Sequence, residues 1–81
     1  MKAYITKYAL TEGILEFDNA EVNVENPEML IISDGARMIF FHGKHWHKTR
    51  QVAVDEAEIM RLKKISSLNK SIKKFESLKF Q

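Results

Sequence analysis

The spacing of apolar and polar positions changes period once along this chain, from two to 3.6, and that change divides it into two parts. Ala3 to Leu10 alternates and is rich in Tyr, Ile and Thr, which predicts a first strand, and Thr11-Glu12-Gly13 supplies a turn. Ile14 to Phe17 and Ala20 to Val24 read as strand, the second with Ala20, Val22 and Val24 on one face and Glu21 and Asn23 on the other. Asp18-Asn19 between them suits either a tight hairpin or a bulge within one long strand. Asn26-Pro27 interrupts the pattern, because proline has no amide proton to give to a ladder. Met29 to Ser33 and Ala36 to Phe41 flank Asp34-Gly35, the dipeptide favoured by a two-residue type I′ hairpin. That turn sets Ile31 opposite Met38, Met29 opposite Phe40 and Leu30 opposite Ile39, with apolar side chains on both faces. Such a hairpin needs cover twice, which predicts the helix on one face and further protein or a second subunit on the other.

Thr49 is suited to cap a helix running from about Arg50 to about Lys79. Ala53, Ala57, Met60, Ile65, Leu68, Ile72, Phe75 and Leu78 share one broad stripe of it, and Lys63, Lys70 and Lys74 fall opposite. Thirty residues at about 1.5 Å each reach about 45 Å, beyond the width of about 30 Å of a compact domain of this length. The helix must therefore overhang, kink or find company. Ile65, Leu68, Ile72 and Phe75 are spaced 3-4-3, a seam of two heptads that predicts a dimer or partner contact.

Charge sharpens this division. Met1 to Ala36 carries two lysines against seven carboxylates, and Arg37 to Gln81 carries eleven basic residues against four acidic ones, giving −5 and +7 within a net charge of +2. An apolar share of 44% is enough for one folded domain. The absence of cysteine excludes disulfides and thiolate metal sites and fits a reducing, cytoplasmic setting. No stretch approaches the roughly 18 apolar residues of a membrane span, and Met1 to Leu10 lacks a signal-peptide core.

Three groups of residues bear on chemistry. His42, His45 and His47 place three imidazoles within six residues, yet no carboxylate or cysteine completes a tetrahedral set and the flanking Lys44 and Lys48 disfavour a cation. The tract reads better as a polar turn with Trp46 packed on the core. Arg37, Phe40, Phe41, Lys44, His45, Trp46, Lys48 and Arg50, continued by Lys63, Lys70, Lys73 and Lys74, combine cations with rings in the manner of a nucleic-acid surface, in which Lys44, Arg50, Lys63, Lys70 and Lys74 would meet phosphates and Trp46 would stack. The same lysines also suit a solvated helix end. The carboxylates from Glu12 to Asp34 read as the wet positions of alternating strands, although opposed charges also allow one copy to meet another. No nucleophile-base pair, phosphate loop or metal-hydrolase motif is present, and so no catalytic residue is assigned.

The segments Lys2 to Ile14, His42 to Thr49 and Met60 to Leu68 together resemble a group of small uncharacterised proteins carried by bacteriophages, prophages and other mobile elements. The resemblance leaves out the acidic middle of the chain and brings no activity or site residue with it. It implies a bacterial or phage cytoplasmic accessory protein.

These readings converge on an α+β fold over a single domain, residues 1–81. It has an antiparallel sheet of about four strands within residues 1–48 and one long amphipathic C-terminal helix over 49–80. The expected function is a non-enzymatic, cofactor-free protein-interaction module that modulates a host factor, with Ile65, Leu68, Ile72 and Phe75 contacting a protein partner or a second copy. The alternative is a backbone-directed nucleic-acid-binding protein.

Overall fold

The structure, a computed structural model, describes residues 1–80. It is α+β: two three-stranded antiparallel sheets and one long C-terminal helix. The strands are β1 (Ala3–Ile5), β2 (Leu15–Phe17), β3 (Ala20–Val22), β4 (Met29–Asp34), β5 (Arg37–His42) and β6 (Trp46–His47), with a short α1 (Ala9–Glu12), a 3₁₀ turn (Gly43–His45) and α2 (Arg50–Glu76). One sheet has the order β2-β1-β6 and the other β3-β4-β5. Six strands replace the expected four, and two sheets replace one.

The corner between the sheets is made at Asp18-Asn19. Ala3 pairs with Phe17, whereas Met1 and Ala20 exchange two backbone hydrogen bonds, at 2.8 and 3.0 Å. Two steps along one strand thus face three along the other, which is the one-residue excess of a bulge. The choice left open between hairpin and bulge is settled in favour of the bulge. A bulge bends and twists its strand, so β2 and β3 run as one path from the first sheet into the second. Asn19 Nδ2 ties this corner to the Ser33 carbonyl at 2.6 Å.

The first strand is shorter than its alternation predicts. Thr6, almost wholly buried, donates its N–H to the His45 carbonyl, and its own carbonyl accepts from the Ala9 N–H. Those bonds turn the chain out of the ladder, and Ala9-Leu10-Thr11-Glu12, good helix formers at three of four positions, close one turn of helix. Gly13 ends it at φ 79°, ψ −170°, a region open to glycine alone.

The Asp34-Gly35 hairpin forms, but in a different register. Asp34 pairs with Arg37, Ile31 with Phe40 and Leu30 with Phe41. Gly35-Ala36 is therefore the two-residue turn, and Gly35 alone has positive φ, 60°, the pattern of a type II′ turn rather than type I′. The register differs by two residues, so every side chain keeps its expected face.

The inner faces of the two sheets meet in one core of Ala3, Ile5, Ala20, Leu30, Ile32, Phe41 and Trp46, with Phe17 tilted on Phe41 at 6.5 Å between ring centroids. The inner face of the hairpin is covered by the first sheet, not by the helix as its two apolar faces had suggested. α2 packs instead on β1, β6 and α1, because Thr49 follows β6 after a single residue and starts the helix beside that sheet. Among the described residues no helix is long and apolar enough to cross a membrane.

Gly13→Ala is expected to destabilise the fold by about 1–3 kcal/mol through its disallowed backbone conformation, with no side-chain contact altered. Urea unfolding followed by circular dichroism checks this.

Candidate interaction surface

Two features fix where α2 begins. Thr49 Oγ1 accepts from the Val52 N–H at 3.3 Å, an N-cap. Arg50 lies 3.8 Å from Glu16 on β2, both well exposed. Ala53 is fully buried against the globule, and Ala57 and Met60 are half-buried. Beyond Met60 the contact ends, and every residue from Arg61 to Phe80 is exposed. A 27-residue helix is about 40 Å long, and the molecule measures 60 × 27 × 22 Å. Its radius of gyration, 17.5 Å, exceeds the roughly 12 Å of a compact chain of this length. The second half of α2 is an arm in solvent.

That arm carries Leu62, Ile65, Leu68, Ile72 and Phe75, all exposed, Phe75 at 67%. At 100° per residue Ile65, Leu68, Ile72 and Phe75 fall within one arc of about 80°, so the structure places the expected contact residues along one line. Leu62, three positions before Ile65, joins them and was not singled out from sequence; its i−3 spacing was the available signal. The stripe stops toward the globule at Glu58 and Arg61. There the guanidinium donates to both carboxylate oxygens at 2.6–3.0 Å and holds the Glu58 carboxyl below the usual range.

Charge follows the same division. Met1 to Met60 holds six basic and ten acidic residues, −4, whereas Arg61 to Gln81 holds seven basic and one acidic, +6. Lys63, Lys70 and Lys74 lie together on the side of the arm away from the apolar line, all exposed. The globule is thus acidic and the arm basic.

The remaining sequence candidates do not join that surface. Trp46 is a core residue, 8% exposed, and its indole N–H donates to the Glu28 carbonyl at 2.8 Å. Its ring is held between protein groups, and the stacking role considered for it is withdrawn. Its edge, with Lys44 and Lys48, borders an open cleft of about 700 Å³ that also involves Pro27, Glu28 and Val52. Arg50 lies at the globule end of α2, 3.8 Å from Glu16 and exposed, away from the arm. His42 ends β5, His45 lies in the 3₁₀ turn, and His47 Nε2 is 3.1 Å from Thr6 Oγ1. Among the described residues no three His, Cys, Asp or Glu side chains are grouped to hold a metal ion.

A second apolar surface was legible in sequence only as an unassigned face. Met38 and Phe40, 58% and 46% exposed, stand on the outer side of the edge strand β5, in line with Ile31 and Glu21 across the sheet. Comparison of the chain with protein-family models, curated proteins and solved structures finds no match.

Burial pushes the His47 imidazole below its ordinary pKa of 6.5, opposed by the nearby Glu56 carboxylate. The folded state therefore favours neutral His47. Its contribution to stability is present above pH 6.5 and is lost as pH falls through the lowered value. His47→Gln is expected to flatten the fall in melting temperature as pH drops below about 6.5, with calorimetry over that pH range as the check.

Proposed function

We propose that this chain is a non-enzymatic protein-interaction module whose arm engages a protein partner, in the accessory role that its resemblance to phage and mobile-element proteins implies. One observation carries the reading: the arm leaves Ile65, Leu68, Ile72 and Phe75 aligned and 41–67% exposed. Full burial of such a side chain is worth about 1.5–3 kcal/mol, so four of them, about half exposed, leave ~3–6 kcal/mol unrealised within the single chain. A partner that covers the line gains that amount, a large share of the roughly 8 kcal/mol of a micromolar complex. Patches of this kind, contiguous and rimmed by charge, are characteristic of contact sites.

The tagged full-length chain, offered an extract of its native host with and without nuclease, is expected to retain a defined protein in both conditions. Leu68→Gln with Ile72→Gln should release it without altering the melting temperature. Equal retention by the double variant overturns the reading.

A second reading, nucleic-acid binding, is favoured by the separate row of Lys63, Lys70 and Lys74, whose spacing would set cations along a phosphate backbone without a base-stacking ring. It predicts binding to duplex DNA that weakens steeply as salt rises and is abolished by Lys63→Glu with Lys70→Glu. No binding at low salt, measured by fluorescence anisotropy, removes it.

A further inference from the structure

We infer that the outer edge of β5 pairs with the same edge of a second copy of this chain, antiparallel about a two-fold axis at Phe40, so that two three-stranded sheets join into one. This edge is separate from the arm, and the two readings can fail independently.

The first argument is how the four sheet edges are finished. A bare edge is a row of unpaired N–H and C=O groups, which folded proteins guard with short strands, charge, bulges or cover. β2 and β3 have three residues each, carry Glu16 and Glu21, and meet at the bulge, and Met1 bonds Ala20 on the side of β3 away from β4. β6 has two residues and lies beside α2. β5 has six residues, pairs with β4 without a bulge, contains no proline, and has no strand beyond it. Its polar residues, Arg37 and His42, stand at its two ends, and Met38, Ile39 and Phe40 between them are 37–58% exposed. Among the described residues β5 is the one long edge left open, and an extended strand is what its backbone can bind.

The second argument is which backbone groups face outward. Across a two-residue turn Asp34 and Arg37 exchange backbone bonds, and alternation makes Ile32–Ile39 and Leu30–Phe41 the next bonded pairs. The Met29 carbonyl agrees, because it turns the other way and accepts from the Asn23 N–H beyond β3. Met38, Phe40 and His42 therefore direct their N–H groups away from β4. An antiparallel copy with the two Phe40 residues level meets these groups in phase. Phe40 pairs with the partner's Phe40 and Met38 with the partner's His42.

The third argument is the side chains, which select a second copy. Ile39 shares the core face of the sheet with Ile32, which is 1% exposed, yet is itself 37% exposed because the sheet ends beside it. The proposed register sets the partner's Phe41 level with Ile39 and closes that gap. On the outer face Phe40 meets Phe40, and Arg37 comes level with the partner's Gly43, so no like charges are opposed. Moving the axis to Ile39 loses a bonded pair and sets Arg37 level with the partner's Phe41 on the core face. The contact is isologous and closes on itself as a dimer. One pair of strands is a small contact, which belongs with weak, concentration-dependent association.

Sedimentation of the full-length chain over a range of concentrations is expected to show a monomer–dimer equilibrium. The dimer should be lost in Phe40→Lys and in Phe40→Glu, each with its circular dichroism preserved, and restored when the two variants are mixed, because opposite charges then meet at the axis. In the unmodified chain, amide exchange followed by NMR should slow at Met38, Phe40 and His42 as the dimer forms, while Ile39 and Phe41, already bonded to β4, change little. Leu68→Gln with Ile72→Gln should leave the dimer intact. A monomer at every concentration overturns the inference, as does a dimer that persists in Phe40→Lys or depends on Leu68 and Ile72. A mixture that stays monomeric overturns the axis at Phe40. Slowing of the three amides in a monomer only when a host protein is added replaces the second copy with a foreign strand.

Discussion

A helix can be held by a globule only over the length of apolar surface that the globule offers it, and here that length is short. The first sheet, β2-β1-β6, receives α2 through Ala53, with Ala57 and Met60 half-covered, about two turns of helix. Small residues at 53 and 57 let the helix axis come close to the sheet, and Thr49 fixes where the first turn starts. Nothing beyond Met60 finds a surface. The remaining turns are helped by the good helix formers among them, Arg61, Leu62, Leu68 and the lysines, and by Lys73 and Lys74 at the negative end of the macrodipole. The exposed seam, the segregation of charge and the elongated shape all follow from that single shortfall of contact.

The globule itself is small for its task. Its core holds eight buried apolar residues, and two of its strands have only three residues on either side of a bulge. What makes so slight a core work is that it is sealed by polar bonds at its corners. Met1 closes on Ala20, Asn19 on Ser33, Thr6 on His45 and His47, and Trp46 on Glu28. Among the described residues no buried side-chain nitrogen or oxygen lacks a partner. Each corner bond spans a point where the chain leaves one ladder for another, so the bonds define the two-sheet arrangement while the apolar residues fill it.

Placed side by side, the two parts are opposites. The globule has a small apolar interior and an acidic surface, with Met38 and Phe40 on β5 exposed on the outer sheet face. The arm keeps no interior at all and shows lysines around an apolar line. For the proposed contact, a charged rim around an apolar stripe would steer encounter more than add affinity. The row of Lys63, Lys70 and Lys74 lies opposite the apolar line, so the arm carries two separate exposed surfaces.

Periodicity along the chain determined a good deal: the existence and type of the long helix, its N-cap at Thr49, the hairpin at Asp34-Gly35, the alternation of Ala20 to Val22, and the seam of Ile65, Leu68, Ile72 and Phe75. All of these depend on neighbours within a few residues, where propensity, capping and turn chemistry act. The tertiary structure alone decided the rest. The sequence placed Trp46 on the core, but only the packing of two sheets decided that Phe41 is buried while its neighbour Phe40 stays exposed on the outer face. The bend at Asp18-Asn19 depends on Met1 reaching Ala20, nineteen residues away, and the turn at Thr6 depends on His45. A one-dimensional pattern marks which residues can be buried together. It does not say how much surface the folded globule has left to bury them, and that quantity is what leaves the arm in water.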